Sequence, residues 1–208
     1  MRKLTSLAVY CGSSTGNSPE FLECARDVGA QLARWGVAIV YGGGNVGMMG
    51  ALADGALGAG GEVTGVIPEA LVHAELAHQG LSALHIVPDM HSRKALFTTL
   101  ADGFLTLPGG VGTMDELWEA VSWAQLGYHD KPVGLLNMGG FYDALIAFYG
   151  QMATSGFIRP AHTGIIIARD SLPTLLDAME RYEPHEPLVG ISPAKPRPAS
   201  PPPSPPQR

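Results

Sequence analysis

The sequence of 208 residues is poor in cysteine, in positive charge and in long apolar runs. Two cysteines, Cys11 and Cys24, cannot make a disulfide framework, so we expect a reducing compartment, the cytoplasm. No run approaches the roughly 18 apolar residues of a membrane-spanning helix, and we predict no membrane partner. The 13 Lys and Arg residues against 19 Asp and Glu residues form no basic stripe, which argues against a nucleic-acid partner.

The motifs of several enzyme classes are also missing. The seven histidines show no metal-ligand spacing such as H-E-x-x-H, and we therefore predict no metal site. Ser13 and Ser14 lie outside any G-x-S-x-G pattern, so a serine hydrolase is not supported. The first residues, M-R-K-L-T-S-L-A-V-Y, have too brief an apolar run for a signal sequence and instead predict a first strand.

Proline is concentrated at the C-terminus. Ten of the 17 prolines follow Tyr182, in a segment without aromatic residues or apolar periodicity. Such a composition cannot bury enough apolar surface to fold, and runs of proline favour the polyproline conformation. We predict one folded domain over residues 1–181 and a disordered, partly polyproline tail over 182–208.

Within the predicted domain, short apolar runs alternate with helical patterns. Continuous apolar strands that alternate with helices are typical of a parallel sheet that helices cover on both faces. We therefore predict an α/β fold, a Rossmann-like doubly wound parallel sheet in three layers with about seven strands. The predicted strands lie at about 4–10, 37–41, 62–67, 83–87, 103–107, 131–137 and 164–168.

The stretch from Asp89 to Pro132 contains most of the polar side chains that suggest chemistry. A predicted strand at 103–107 runs into P-G-G-V-G and then directly into a helix. Glycines at such a turn let the backbone approach a phosphate closely, and the free N–H groups of the first helical turn point at the anion. Ligands of these folds bind beyond the carboxyl ends of the strands, so we expect the site at this edge of the sheet.

A second glycine-rich loop, G-G-G-N-V-G at 42–47, fits the dinucleotide pattern G-x-G-x-x-G. It follows the second predicted strand rather than the first, and no acidic residue ends the next strand to hold a ribose. Three interpretations stay open: a dinucleotide site, glycines needed only for a tight turn, and a mononucleotide site shared with the loop at Pro108. We favour the last.

The side chains beside the Pro108 loop have structural as well as functional interpretations. Thr113-Met-Asp-Glu116 fits a capping box, with Thr113 as N-cap and Glu116 bonding back to its backbone. Arg93 and Lys94 are expected in the first turn of a helix that Asp89 caps, where the helix dipole disfavours cations. A residue placed against local preference indicates function, and we favour a functional role for Arg93.

Trp118 and Trp123 are five positions apart on one predicted helix, and so lie about 140° apart around its axis. Both cannot face the sheet. A helix that is apolar on two sides predicts a second packing partner, which we expect to be another copy of the chain.

Four motifs together resemble one family. They are G-G-G-N-V-G-M-M-G (42–50), D-M-H-S-R-K (89–94), P-G-G-V-G-T-M-D-E (108–116) and W-A-Q-L-G-Y-H-D-K-P (123–132). In this order they resemble the LOG ("Lonely Guy") family of cytokinin riboside 5′-monophosphate phosphoribohydrolases, over about residues 5–180.

The resemblance implies hydrolysis of the N-glycosidic bond of an adenine-type nucleoside 5′-monophosphate to a free base and ribose 5-phosphate. It implies a catalytic pair, Arg93 and Glu116, a homodimer, and a Rossmann-like fold without NAD or another cofactor. The resemblance also implies a set of substrate-binding residues, which comprises Ser14, Gly43, Gly44, Glu75, Met90, Lys94, Gly109, Gly110, Val111, Gly112, Thr113 and Asp115.

Three other functions were weighed. Members of this family are often labelled lysine decarboxylases, but the chain has only four lysines and is small for pyridoxal phosphate chemistry, so we reject that label. A carrier of a nucleotide or cofactor on the same fold would need the phosphate loop but not Arg93 and Glu116. A nucleosidase of broad base specificity would differ only in the base it accepts, and the sequence does not distinguish AMP from a prenylated ribotide.

Overall fold

The computed structural model describes residues 2–72 and 77–189. Strands and helices alternate in it as predicted, and short 3₁₀ turns at Glu69–Leu71, Met138–Gly140 and Pro160–His162 join some of them. The strands are β1 (Ser6–Tyr10), β2 (Ala38–Tyr41), β3 (Val63–Pro68), β4 (Ala83–Val87), β5 (Gly103–Thr106), β6 (Val133–Leu136) and β7 (Ile166–Arg169). The helices are α1 (Pro19–Arg34), α2 (Gly47–Gly58), α3 (Met90–Leu100), α4 (Val111–Leu126), α5 (Asp143–Thr154) and α6 (Leu172–Glu180).

The seven strands form one sheet in the order β4-β3-β2-β1-β5-β6-β7, and every neighbouring pair is parallel. The predicted α/β class and doubly wound parallel sheet are thus confirmed. Strand order reverses between β1 and β5, where Tyr10 pairs with Thr106. The chain leaves these two strands toward opposite halves of the sheet, and the divergence opens a crevice at their carboxyl ends.

Helices cover both faces of the sheet, which gives the three layers. Buried side chains of α1, α2 and α6 pack with one face of the strands, and those of α3, α4 and α5 pack with the other. Fully buried Leu7 and Phe104 illustrate the alternation, since they point into opposite cores from neighbouring strands. Burial on both faces explains why the strands are apolar along their whole length.

Two of the three predicted caps are confirmed. Ser18 accepts a hydrogen bond from the backbone N–H of Glu20 at 3.4 Å, and Asp89 accepts one from Ser92 at 2.7 Å. The capping box at Thr113 is wrong, because α4 begins two residues earlier, at Val111, with Gly110 as a cap that offers no side chain. Glu116 consequently lies in the second turn of the helix rather than in its first.

Arg93 and Lys94 also lie one turn deeper than predicted. The helix α3 begins at Met90, so the pair occupies its fourth and fifth positions. The backbone N–H of Arg93 is bonded to the carbonyl of Asp89 at 3.1 Å. The expectation that the helix dipole disfavours these two cations assumed that they lie in the first turn, and it therefore no longer applies. Their roles must be inferred from their contacts.

The described part of the predicted tail contacts the domain. The backbone N–H of Leu188 donates to the carbonyl of Gln125 at 2.9 Å, and the Nε2 atom of His162 lies 2.7 Å from the carbonyl oxygen of Glu186. The predicted boundary at 181 stays a prediction, and residues 190–208 lie outside the described residues. Among the described residues no helix has both the length and the apolarity needed to cross a membrane.

Candidate active site

A cavity of about 380 Å³ lies at the reversal of strand order, between the loop that follows β1 and the loop that follows β5. Its position agrees with the prediction that the site lies beyond the carboxyl ends of the strands. Its wall has a polar side at the Pro108 loop and an apolar side at two phenylalanines and two methionines. The lining residues are Cys11, Gly12, Ser13, Ser14, Gly16, Phe21, Met48, Met49, Arg93, Pro108, Gly109, Gly110, Val111, Gly112, Thr113, Glu116 and Phe141.

The N-terminus of α4 opens into this cavity. Within residues 2–72 and 77–189, no group accepts a hydrogen bond from the backbone N–H of Val111, Gly112 or Thr113, and the first bonded one is that of Met114. Unbonded N–H groups at the positive end of a helix attract an anion. The loop itself is tight, because a Cβ atom on Gly109 would overlap the side chain of Thr113. These features make this end of the cavity suited to a phosphate.

The N-terminus of α2, in the other glycine-rich loop, is already occupied. The backbone N–H groups of Met48 and Met49 donate to the carbonyls of Ser14 and Gly12, each at 3.3 Å. A Cβ atom on Gly47, whose φ is +61°, would overlap the carbonyl of Ser13. The glycine pattern at 42–47 therefore supports the loop after β1, which already accepts two of the first three N–H groups of α2.

Arg93 is fixed by backbone carbonyls at the ends of two strands. Its Nε atom donates to the carbonyl of Val66 at 3.1 Å, and its Nη2 atom donates to that of Gly42 at 3.3 Å. The guanidinium lies over the ring of Phe97, 5.4 Å from its centroid, and the side chain is 7% exposed. A Cβ atom on Gly42 would overlap Nη2, so glycine is required at that position for Arg93 to lie there.

Glu116 faces Arg93 across the cavity wall. The Nη1 atom of Arg93 lies 3.8 Å from Oε1 of Glu116, a distance for charge attraction but longer than a hydrogen bond. Two ionisable groups, Tyr10 at the end of β1 and Cys11 directly after it, lie near enough to respond to Glu116. Burial first, and then the charge of Glu116, raises the pKa of the Cys11 thiol and the pKa of the Tyr10 phenol well above their usual values. Both groups thus stay protonated and neutral beside the pair.

Lys94 points away from the cavity. Its Nζ atom lies 3.1 Å from Oδ2 of Asp115 and 2.8 Å from Oε2 of Glu119, both on α4. Burial by itself would lower the pKa of Lys94, but the hydrogen bonds with Glu119 and Asp115 outweigh it and raise the pKa above its usual value. Glu119 was missed in the sequence, although its spacing of four from Asp115 places both on one helix face.

The structure brings together most of the predicted site residues. Ser14 and the loop from Gly109 to Thr113 line the cavity with Arg93 and Glu116. Five other predicted residues do not line it. They are Gly43, Gly44, Met90, Lys94 and Asp115, and Glu75 lies outside the described residues.

Nine lining residues lie outside the predicted site set, and four of them have large apolar side chains. Phe21 and Phe141 meet edge to face with their ring centroids 5.8 Å apart, and Met48 and Met49 begin α2 beside them. Sequence alone could have pointed to the methionines, which follow the Gly47 turn into the helix. No local signal joins Phe21 to Phe141, because their contact depends on two connections that end at the same edge of the sheet.

Within the described ranges, no group of three or more His, Cys, Asp and Glu side chains is arranged to hold a metal ion. The two cysteines are free thiols, and Cys11 lies buried in the cavity wall.

Comparison with known proteins identifies the family. Residues 49–179 match the family model described as "Possible lysine decarboxylase". A probable cytokinin riboside 5′-monophosphate phosphoribohydrolase of Oryza sativa subsp. japonica is 46% identical over 176 residues, 85% of this chain and 79% of that protein. A cytokinin riboside 5′-monophosphate phosphoribohydrolase of Arabidopsis thaliana is 41% identical over 185 residues, 88% of this chain and 87% of that protein. The chain belongs to the LOG family.

Solved structures share the fold at greater distance. The molybdenum cofactor carrier protein of Chlamydomonas reinhardtii superposes with a TM-score of 0.66 at 18% identity, covering 86% of this chain and 98% of that one. A molybdenum cofactor binding protein of Rippkaea orientalis gives a TM-score of 0.65 at 22% identity, over 87% of this chain and 98% of that one. At these identities the likeness concerns the fold alone.

The description "Possible lysine decarboxylase" does not fit the lysines of this chain. Lys94 is held by two carboxylates, and the Nζ atom of Lys131 donates to the carbonyls of Thr98 and Ala101. Lys3 is exposed near the start of β1, and Lys195 lies outside the described residues. No lysine of the described residues lines the cavity, so none is placed to bind pyridoxal phosphate covalently there.

Proposed function

We propose that this chain hydrolyses the N-glycosidic bond of cytokinin riboside 5′-monophosphates, that is N6-substituted AMP, and of AMP itself. Water adds its hydroxyl to C1′ of the ribose and its proton to the base, and the products are free base and ribose 5-phosphate. The names of its relatives support this substrate class. One observation carries the proposal: an unbonded helix N-terminus and the Arg93–Glu116 pair line the same cavity.

The 5′-phosphate binds at the N-terminus of α4 in this proposal. The N–H groups of Val111, Gly112 and Thr113 are available there, and Gly110 and Gly112 have no atoms within 4 Å of where a Cβ would lie. The phosphate can thus reach the backbone without meeting a side chain. Favourable charge at a helix N-terminus adds to these hydrogen bonds.

Glu116 acts on the ribose. It lies three residues beyond Thr113, about 4.5 Å along the helix axis given a rise of 1.5 Å per residue. That spacing suits the distance from a bound 5′-phosphate to the sugar ring. Breaking the N-glycosidic bond builds positive charge on the ring, which a nearby carboxylate stabilises, and the same carboxylate can orient or deprotonate the attacking water.

Arg93 supplies a fixed positive charge beside Glu116. Two of its nitrogen atoms are bound to the carbonyls of Val66 and Gly42, so Nη1 is the atom that faces Glu116. The guanidinium needs no reorganisation when substrate arrives, and preorganised charge is what stabilises a transition state most effectively. We propose that Arg93 orients the Glu116 carboxylate and a ribose oxygen from this position.

The apolar side of the cavity accepts the base and its N6 substituent. Phe21, Phe141, Met48 and Met49 supply aromatic and flexible apolar surface there. An apolar substituent on the base would gain roughly 25 cal/mol for each Å² that it buries against such a wall. We therefore propose that a base with an N6 alkyl group binds more tightly than plain adenine.

We also propose that the chain works as a homodimer in the cytoplasm. Trp118 and Trp123 are both half-buried within one copy, which leaves part of each ring for a partner. Light scattering coupled to size-exclusion chromatography measures the mass, and a monomer of 21.8 kDa at micromolar concentration would contradict the dimer.

The activity is tested by chromatography of AMP and of N6-isopentenyl-AMP after incubation with the purified chain. We expect release of free base and ribose 5-phosphate from both, and none from adenosine or ATP. Glu116→Gln keeps the shape of the side chain and removes its charge, so we expect a loss of roughly 10²–10⁴ in kcat. Arg93→Met removes the guanidinium and should reduce kcat as strongly.

Calorimetry of AMP binding to the same proteins distinguishes a hydrolase from a nucleotide carrier. Both variants should still bind AMP, because the α4 N-terminus is intact. AMP binding by the wild-type protein without release of base from any monophosphate would exclude the hydrolase and leave a nucleotide carrier.

A further inference from the structure

Lys94 joins the helices that carry the proposed catalytic pair. It follows Arg93 in α3, and its ammonium contacts the residue before Glu116 and the residue three after it. The side chain of Lys94 is 11% exposed, that of Glu119 is 20% exposed and that of Asp115 is 57% exposed. The shorter contact, 2.8 Å, is the one with the less exposed carboxylate, Glu119.

The two ion pairs have different geometry. Lys94 makes close, charge-assisted hydrogen bonds, whereas Arg93 and Glu116 stay 3.8 Å apart without one. The 3.8 Å separation between Arg93 and Glu116 is too long for a hydrogen bond between their side chains to fix the distance between the two helices. The spacing between α3 and α4 near Glu116 must therefore be set by other contacts.

The start of α4 offers little else to set that spacing. Its N-cap is Gly110, which has no side chain to bond, and the first three N–H groups of α4 face the cavity. Lys94 reaches α4 at Asp115 in its second turn and at Glu119 in its third, on either side of Glu116 in the sequence. Three charged groups that share close hydrogen bonds at a partly buried site hold their elements in one register, because any shift leaves a desolvated charge without its partner.

We propose that Lys94, with Glu119 and Asp115, is a clasp that positions Glu116 relative to Arg93, and that Lys94 does not bind the substrate phosphate. The inference rests on the hydrolase proposed above. It gives different roles to two adjacent residues of one motif. Arg93 faces the cavity, whereas Lys94 binds α4 and fixes its position at the cavity wall. Lys94 is then a positioning residue, and its removal should affect the chemical step rather than binding.

Steady-state kinetics with AMP test this division through Lys94→Met, Glu119→Gln and the double variant. We expect Lys94→Met to lower kcat on the order of 100-fold, as displacement of a catalytic group by about 1 Å does. KM should change by less than about twofold, since the phosphate site is untouched. The double variant should be no slower than Lys94→Met, because both substitutions break the same contact and the second removes an unpaired carboxylate.

Lys131→Met is the matched control. It removes another partly buried lysine on the same side of the sheet, one that bonds the C-terminal carbonyls of α3 and does not line the cavity. We expect it to lower the thermal midpoint while kcat and KM, measured below that midpoint, stay at wild-type values. A general loss of stability is thereby distinguished from loss of position.

The opposite kinetic result would overturn the clasp. A rise of tenfold or more in KM at wild-type kcat, with Glu119→Gln having no effect, would mean that Lys94 binds the phosphate. A crystal structure of Lys94→Met tests the same point without turnover. We expect Glu116 Oε1 to move away from Arg93 Nη1, and an unchanged 3.8 Å separation would refute the clasp. If wild-type protein releases no base, the hydrolase fails, and this structure still decides the role of Lys94.

Discussion

The two glycine-rich loops at the carboxyl edge of the sheet look alike, but the helices that follow them differ in how many of their first backbone N–H groups are bonded within the described residues. Each follows a buried strand and leads directly into a helix, α2 or α4. In the first, Met48 and Met49 donate their backbone N–H groups to the loop after β1. In the second, no group of residues 2–72 and 77–189 accepts the backbone N–H groups of Val111, Gly112 and Thr113, and these three residues line the cavity.

The difference follows from strand order. The loop before α2 leaves β2, whose neighbours β1 and β3 lie in the same half of the sheet, so another loop packs over it. The loop before α4 leaves β5, at the reversal of order, and the cavity lies between it and the loop that follows β1. A glycine pattern therefore indicates a tight strand-to-helix turn, and the position of the strand in the sheet decides whether that turn binds a ligand.

The largest effect is expected at Gly42, where the first loop supports Arg93. In Gly42→Ala the new methyl group overlaps Nη2, so Arg93 must leave its two carbonyls. We expect kcat for AMP to fall roughly 10²–10³-fold, the loss typical of one preorganised charged donor. Steady-state kinetics with Arg93→Met and the double variant measure it. Independent, multiplying losses in the double variant would contradict the shared cause, and Gly58→Ala, with no atoms within 4 Å, is the control.

Gly47→Ala should affect folding rather than chemistry. The residue has φ +61° and no room for a Cβ beside the carbonyl of Ser13. We expect the free energy of unfolding to fall by about 3 kcal/mol, from backbone strain together with displacement of the loop after β1. Urea unfolding followed by circular dichroism gives the value. A loss below about 1 kcal/mol would mean that the first loop is more adaptable than its geometry implies.

The helix α4, which keeps its N-terminus open, is anchored nearer its other end by His129. The Nε2–H of His129 donates to the carbonyl of Ala120 at 2.9 Å, and its Nδ1 accepts from the N–H of Lys131 at 3.2 Å. The second bond needs the neutral ring, because a protonated Nδ1 has no lone pair with which to accept it. Burial, the main cause, lowers the pKa of His129 to about 4.

A folded-state pKa below the unfolded value of about 6.5 makes the unfolded chain bind the proton first. The stability that His129 contributes is present above pH 6.5 and is lost as pH falls toward 4. We expect the wild-type free energy of unfolding to drop by about 2 kcal/mol more than that of His129→Gln between pH 7 and pH 5. Urea unfolding at both values gives the comparison, and equal drops would contradict this account of the anchor.

The smallest effect is expected at Gly112, in the second loop. A Cβ there meets no atom within 4 Å, and alanine is preferred to glycine inside a helix by about 1 kcal/mol. Gly112→Ala should therefore keep or slightly raise the thermal midpoint while its methyl group obstructs the phosphate. We expect KM for AMP to rise about tenfold. A destabilised variant with unchanged KM would reverse the assignment of the two loops.

Local signals in the sequence predicted the strands and helices and two of the helix N-caps, but they placed the N-cap of α4 at the wrong residue. Asp89 and Ser18 cap where the sequence places them, because a short side-chain acceptor before a helix acts within three residues. Thr113 and Glu116 satisfy the same local rule and do not form a capping box. The loop after β5 starts its helix earlier, at Val111, so that Glu116 points toward Arg93.

Local sequence rules could not identify residues whose roles depend on partners far away in the sequence. Glu119 is bound by Lys94, 25 positions earlier, and Phe21 meets Phe141, 120 positions later. The role of Gly42 depends on a side chain from α3. A Cβ atom on Gly43, in the same motif, would meet Ile67 of β3 and Leu84 of β4, and neither Gly43 nor Gly44 lines the cavity.

By itself the sequence determined the parallel α/β fold, the glycine-rich turn from β5 into a helix, and the family. Apolar runs of strand length, glycine turns and helix caps act over a few residues. They can therefore be recognised without knowing how the rest of the chain folds. The tertiary structure alone decided which glycine loop keeps an open helix end, and that Arg93 faces the cavity while Lys94 binds α4. These outcomes depend on strand order and on the direction of side chains from separate helices, and no run of neighbouring residues contains either.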